Sequence, residues 1–181
     1  THLWFLWVLL ILYVGILVLR APFAMADRDG GWGRFVDRIT GALIGPWTPV
    51  VMAAPLAVAF WLTPNWTPFF GIPTPDTGLV PNATALTAFG TAFGLGFLLD
   101  RRRDLLVRIE RLWPVFTVVG LGVGAAAMVM VGGPVPELAP VTDPGLKASL
   151  AAVMALAVFA SVFAVLSLAL RFASGYSAVR R

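Results

Sequence analysis

The sequence predicts an all-α, polytopic bundle of about five transmembrane helices, and three observations predict it. Only 12% of the 181 residues are charged, half of the roughly 25% in a soluble domain. Mean hydropathy is +0.89. The remaining charges fall between uncharged runs at 3–19, 39–75, 77–99, 112–136 and 148–170. Crossing a bilayer takes about 20 apolar residues, and each run is long enough. The chain therefore reads as one membrane segment, 1–181, with no soluble core.

The first span is placed at 3–20. Ala24-Met25-Ala26 has the small-x-small form of a signal-peptide cleavage site. No basic stretch precedes the run, however, and the run is longer than a signal peptide's apolar core, so a retained helix is expected. Between 31 and 44, Trp32, Phe35, Val36, Ile39 and Leu43 recur at helical spacing, with Arg34, Asp37 and Arg38 opposite. That pattern predicts an amphipathic helix lying on the membrane surface. The second span, 44–63, carries Pro46, Pro49 and Pro55 and should be kinked or start late. The outer loop 64–81 is stiffened by proline, and Trp66, Phe69 and Phe70 suit either an interfacial aromatic belt or a platform for sugar rings.

The third span is expected at 82–99, followed by a second surface stretch at 100–112. There Leu105, Ile109 and Leu112 share a face, and spacing pairs Asp104 with Arg108. Spans four and five, at 113–132 and 148–170, flank an outer loop at 133–147. Gly120-Leu121-Gly122-Val123-Gly124-Ala125 matches a dinucleotide-binding fingerprint, but within an apolar run it reads as a close-packing face. The pair Gly90 and Gly94 reads the same way. Ser149, Ser161 and Ser167 are expected to bond within the bundle.

Twelve of the thirteen basic residues fall in the connections after the first, third and fifth runs. Basic residues mark the cytoplasmic side, so the N-terminus is placed outside and the C-terminus inside. The net charge of +4 follows from that bias and does not indicate nucleic-acid binding. With no cysteine and one histidine, disulfides and thiolate chemistry are excluded and no metal site is expected. The spans carry no central ionisable residue, which argues against a proton-coupled transporter. With no initiator methionine and a start inside an apolar run, the chain reads as an internal part of a longer protein.

The opening His2-Leu3-Trp4-Phe5-Leu6-Trp7, continuing through Tyr13, resembles a signature of acyltransferase family 3. The likeness is greatest to the branch that succinylates periplasmic glucans, the glucan biosynthesis protein C type. A second likeness covers 85–116, where a Phe-Gly-rich helix enters a basic turn and re-enters at Trp113-Pro114. The tail from Arg171 is similar to the approach to a later helix.

The resemblance implies a bacterial inner-membrane enzyme that moves an acyl group, succinyl or acetyl, from cytosolic acyl-CoA to a hydroxyl of a periplasmic or exported glycan. No bound cofactor is implied, and acyl-CoA is a co-substrate. The family's arginine–histidine element lies upstream of Thr1, so further helices of the parent chain are implied partners, along with membrane lipids. On this basis His2 is the candidate for orienting the acceptor or moving its proton. Trp4, Trp7 and Trp66 are candidates for stacking on the acceptor sugar, and Arg101, Arg102 and Arg103 for facing the coenzyme A phosphates. From the residues alone, His2 and its tryptophans equally suit the membrane interface, and the arginines equally suit lipid anchoring. A saccharide exporter and a non-catalytic membrane scaffold are the alternative functions.

Overall fold

The computed structural model describes residues 4–26, 30–73, 81–133, 135 and 138–173, and all regular structure among them is helical. Seven α-helices follow in order: α1 (Trp4–Ala26), α2 (Gly31–Leu43), α3 (Thr48–Leu62), α4 (Ala83–Arg101), α5 (Leu105–Arg111), α6 (Trp113–Met130) and α7 (Pro144–Leu168). A single 3₁₀ turn covers Pro68–Phe70, and a π-helical stretch at Ala169–Ala173 prolongs α7.

Among the described residues three helices, α4, α6 and α7 with its π extension, are long and apolar enough to cross a membrane. A fourth span counts only if α2 and α3, bent by 100° at their junction, are taken together. Five were expected, and the other two expected spans fall on the shorter apolar helices α1 and α3. α3 starts only at Thr48, and its 15 residues span about 22 Å at 1.5 Å per residue, short of a core about 30 Å thick. The apolar part of α1 is confined to Leu6–Pro22, although the helix itself runs to Ala26. Helix length and composition mark a membrane protein.

The bend between α2 and α3 is built by its own residues. The Gly45 N–H donates to the Thr48 hydroxyl at 2.8 Å, and that hydroxyl lies 2.7 Å from the Gly45 carbonyl oxygen. The Trp47 indole N–H reaches back to the Ala42 carbonyl at 3.1 Å. A Cβ on Gly45 would meet the Trp47 ring at 2.7 Å, so any larger residue would push that ring off its bond to Ala42. α4 and α7 begin on side-chain caps: the Ala85 N–H donates to the Asn82 carboxamide oxygen, and the Leu146 N–H to the Asp143 carboxylate.

α7 is the central helix and packs against both α3 and α6. It presents small residues inward, with Ala151, Ala155 and Ala160 buried, which lets neighbouring backbones approach closely. At one end of the bundle Leu56, Phe60 and Trp66 pack with Leu150 and Phe159. At the other, Ile44, Leu99, Ile109 and Phe116 pack with Phe163. α1 is peripheral and leans on α4; of its described side chains only Val8 is buried. The exposed aliphatic side chains of α6, such as Val118, Leu121 and Val129, would be a liability in water but suit lipid.

Candidate functional site

The two ends of the bundle differ in chemistry. At one end, α2, the α4–α5 turn and the end of α7 meet, and arginines hold them together. Arg101 pairs with Asp37 at 3.3 Å, and Arg102 donates to the Asp37 backbone carbonyl at 3.1 Å. Arg108 donates to the Gly41 and Ile44 carbonyls, both at 3.0 Å. It thereby caps the C-terminus of α2, where the helix dipole is negative. Arg171 and Glu110 approach to 3.4 Å.

This clamp corrects the Asp104–Arg108 pairing expected from spacing. Asp104 lies ahead of the first turn of α5, and Arg102 reaches it in a two-pronged contact at 2.8 Å. The Arg102 hydrogen bond holds the Asp104 carboxyl below its usual range, and the same bond raises the Arg102 guanidinium. Arg103 pairs with Asp100. Each of Arg101, Arg102 and Arg103 therefore already sits on an aspartate, and the turn is a mosaic of ion pairs, not an unopposed basic floor.

The clamp fixes α2 with Thr40 buried beneath it, while Trp32, Phe35 and Ile39 are 51%, 53% and 42% exposed. An apolar stripe left uncovered beside a row of arginines is the arrangement of a helix lying in a membrane interface.

At the opposite end, α3 and α4 enclose a pocket of about 520 Å³ whose lining includes Leu62, Thr63, Pro73, Asn82, Thr84 and Thr87. Its hydroxyl protons can be followed. Thr63 donates to the Ala59 carbonyl at 2.7 Å and Thr87 to the Ala83 carbonyl at 2.7 Å. Thr63 and Thr84 oxygens lie 2.7 Å apart and share one hydrogen bond. The pocket is left with hydroxyl lone pairs to offer, which suits a ligand that donates hydrogen bonds. Lys147 on α7 donates to the Thr63 carbonyl at 2.7 Å, closing the C-terminus of α3 with a cation.

The sequence-predicted site residues divide. His2 lies outside the described residues. Trp4 packs against Phe89 of α4 with ring centroids 6.0 Å apart, and Trp7 is exposed. This places Trp4 beside the helix whose first turns line the threonine pocket. Trp66 is corrected: it is 2% exposed, stacked on Phe60 at 4.5 Å, and its indole N–H donates to the Gly71 carbonyl at 3.0 Å. Both its ring and its polar atom are occupied, so it anchors the loop and is closed to a sugar.

Sequence reasoning missed Thr63, Thr84, Thr87 and Lys147. Asn82 offered one signal, as a helix-capping residue with threonine two positions on. The Thr63–Thr84 and Lys147–Thr63 contacts join distant parts of the chain, so no local pattern announces them. No family model matches this chain, and no curated protein or solved structure matches it.

Proposed function

We propose that the chain is part of a bacterial inner-membrane O-acyltransferase, with the arginine end in the cytoplasm, the threonine end outside, and five spans: α1, α4, α6, α7 and the segment 44–63, in which the residues flanking α3 make up its missing length. The reaction moves a succinyl or acetyl group from acyl-CoA to a hydroxyl of an exported or periplasmic glycan. One observation carries this reading. α1, which begins at Trp4 within the family-like sequence, packs through Trp4 on α4, whose N-terminal turns line a pocket of threonine hydroxyls. Sugar hydroxyls are hydrogen-bond donors, and the pocket offers them acceptors.

In this role His2 and Trp7 meet the acceptor near the pocket, and His2 orients the attacking hydroxyl or takes its proton, a contribution typically worth 10²- to 10⁴-fold where proton transfer is involved. The CoA phosphates approach the cytoplasmic turn, where Arg103 is the most exposed of the three arginines, with 76% of its side chain accessible. Because all three arginines hold aspartates, a phosphate engages them by exchanging with Asp37, Asp100 or Asp104.

The test uses the full parent protein in vesicles, supplied with succinyl- or acetyl-CoA and an oligosaccharide, with sugar-dependent release of free CoA as the signal. His2→Ala and a Thr84→Val/Thr87→Val pair should each lower the rate. Acyl product from both variants at the wild-type rate removes this site. Glycan export by the wild type without any acyl product favours an exporter.

A further inference from the structure

A second cavity, distinct from the threonine pocket, opens at the arginine end between α1, α2 and α4. It holds about 650 Å³, and its walls are Ile16 and Leu19 of α1, Trp32 and Phe35 of α2, and Phe97 and Leu98 of α4, with Arg20 and Arg101 among its lining. Gly94 also lines it, and a Cβ there would meet nothing within 4 Å. The missing side chain widens the cleft. One helical turn away the same helices touch: a Cβ on Gly90 would meet Leu12 at 3.4 Å.

The two guanidiniums differ. Arg101 is held by Asp37 at 3.3 Å, whereas Arg20 has no carboxylate partner among the described residues. Among the described residues the cleft therefore carries a net positive charge at an apolar slot. It also opens beside the uncovered Trp32–Phe35 stripe of α2, the part of the molecule built to lie at headgroup depth.

We propose that this cleft holds one anionic glycerophospholipid, its phosphate between Arg20 and Arg101 and an acyl chain laid over Gly94 against Phe97 and Leu19. A zwitterionic lipid offers the same chains but a compensated headgroup, so the charge complementarity selects an anionic one. The bound lipid fills the gap that α1 leaves against α4 and ties this peripheral helix to the bundle. The proposal stands apart from the acyltransferase reading, which places its acceptor at the other end.

The experiment is native mass spectrometry of the purified chain released from vesicles of equal parts phosphatidylglycerol and phosphatidylcholine. One phosphatidylglycerol should be retained per wild-type chain, in preference to phosphatidylcholine. Arg20→Gln should weaken retention roughly five- to ten-fold, the change expected for one guanidinium at a membrane surface, and Arg20→Lys should restore most of it. Gly94→Leu fills the slot without altering charge and should also expel the lipid, with helicity by circular dichroism confirming that the variant folds. Equal retention of both lipids, or retention unaffected by Arg20→Gln, overturns the proposal. So does stoichiometric displacement of phosphatidylglycerol by palmitoyl-CoA at micromolar concentration, which would make the cleft a donor site.

Discussion

Two helices carry the same small-residue spacing, Gly120 with Gly124 on α6 and Gly90 with Gly94 on α4, and the structure uses them differently. On α6, a Cβ at Gly120 would meet the Ala160 carbonyl oxygen and the Ala164 Cβ, both at 3.1 Å. That glycine lets α6 lie directly on α7. On α4, the Gly90 position has ordinary contact with Leu12, and Gly94 faces open space. Gly120 is closed by a helix, with Gly124 beyond it left open, whereas at Gly94 the surface opens into a cavity. Glycine spacing thus shows where a helix surface is flat. What covers that surface depends on the neighbour: alanine-rich α7 fits closely, whereas α1, with larger side chains facing α4, leaves a slot.

The largest expected effect comes from Gly120→Leu. The neighbouring backbone oxygen cannot move aside, so the substitution should separate α6 from α7 and cost about 3 kcal/mol or more, measured by unfolding in mixed detergent micelles. Gly124→Leu is the control: nothing lies within 4 Å of that position, so it should cause no loss and should gain up to about 0.5–1 kcal/mol from replacing glycine within a helix. Equal losses from both would mean that the α6–α7 contact is not held by Gly120.

Second in size is Arg108→Ala, which takes two hydrogen bonds from the C-terminus of α2. Charged hydrogen bonds contribute about 1.5–3 kcal/mol, and the exposure of Arg108 puts the expected loss near 1 kcal/mol. The loss should appear locally, as faster amide exchange in α2 with α6 and α7 unchanged. Gly94→Ala should shift stability in the opposite direction, by about 0.5–1 kcal/mol of stabilisation, because alanine replaces glycine within a helix and meets no neighbour. A destabilised Gly94→Ala would mean that α1 closes on α4 more tightly than Gly94's open surroundings indicate.

The same contrast separates what was legible in the sequence from what was not. Helix positions follow from local rules: runs of apolar residues, Asn82 and Asp143 as caps, and prolines that delay α3 to Thr48. The apolar stripe of α2 was also legible, since Trp32, Phe35 and Ile39 recur at helical spacing and are left uncovered. The arginines were legible as a cluster but not as individuals. Arg108 reaches a carbonyl 67 residues away, and only the folded chain shows that it abandons Asp104. Trp66 misleads for a related reason. An aromatic residue in a proline-rich loop has the same composition whether it faces lipid, sugar or core, and the stacked Phe60 decides the matter. Of the site residues, the threonines were hidden because threonine is ordinary in apolar helices. Their proximity depends on how α3 and α4 cross.

The smallest effect expected is a pH dependence, and it tests the regrouping of Asp104 directly. Arg102 lowers the Asp104 carboxyl, chiefly through the hydrogen bond between them. A carboxyl lowered on folding contributes stability that is complete above its unfolded value, near 3.9, and is lost as pH falls through the folded value. The contact should therefore hold at neutral pH and weaken only below about pH 4. Arg102 itself is raised and stays charged throughout that range, so the titration belongs to Asp104 alone. A carboxyl carbon titration by nuclear magnetic resonance should place the Asp104 midpoint below the usual aspartate range, and Arg102→Gln should return it there. Arg108→Ala should move the midpoint much less, because Arg108 acts on Asp104 only through space and is the weakest of the influences that lower it. If Arg108→Ala moves it as far as Arg102→Gln does, the helical i,i+4 pairing survives in the bilayer and the clamp on α2 is weaker than its two 3.0 Å contacts indicate.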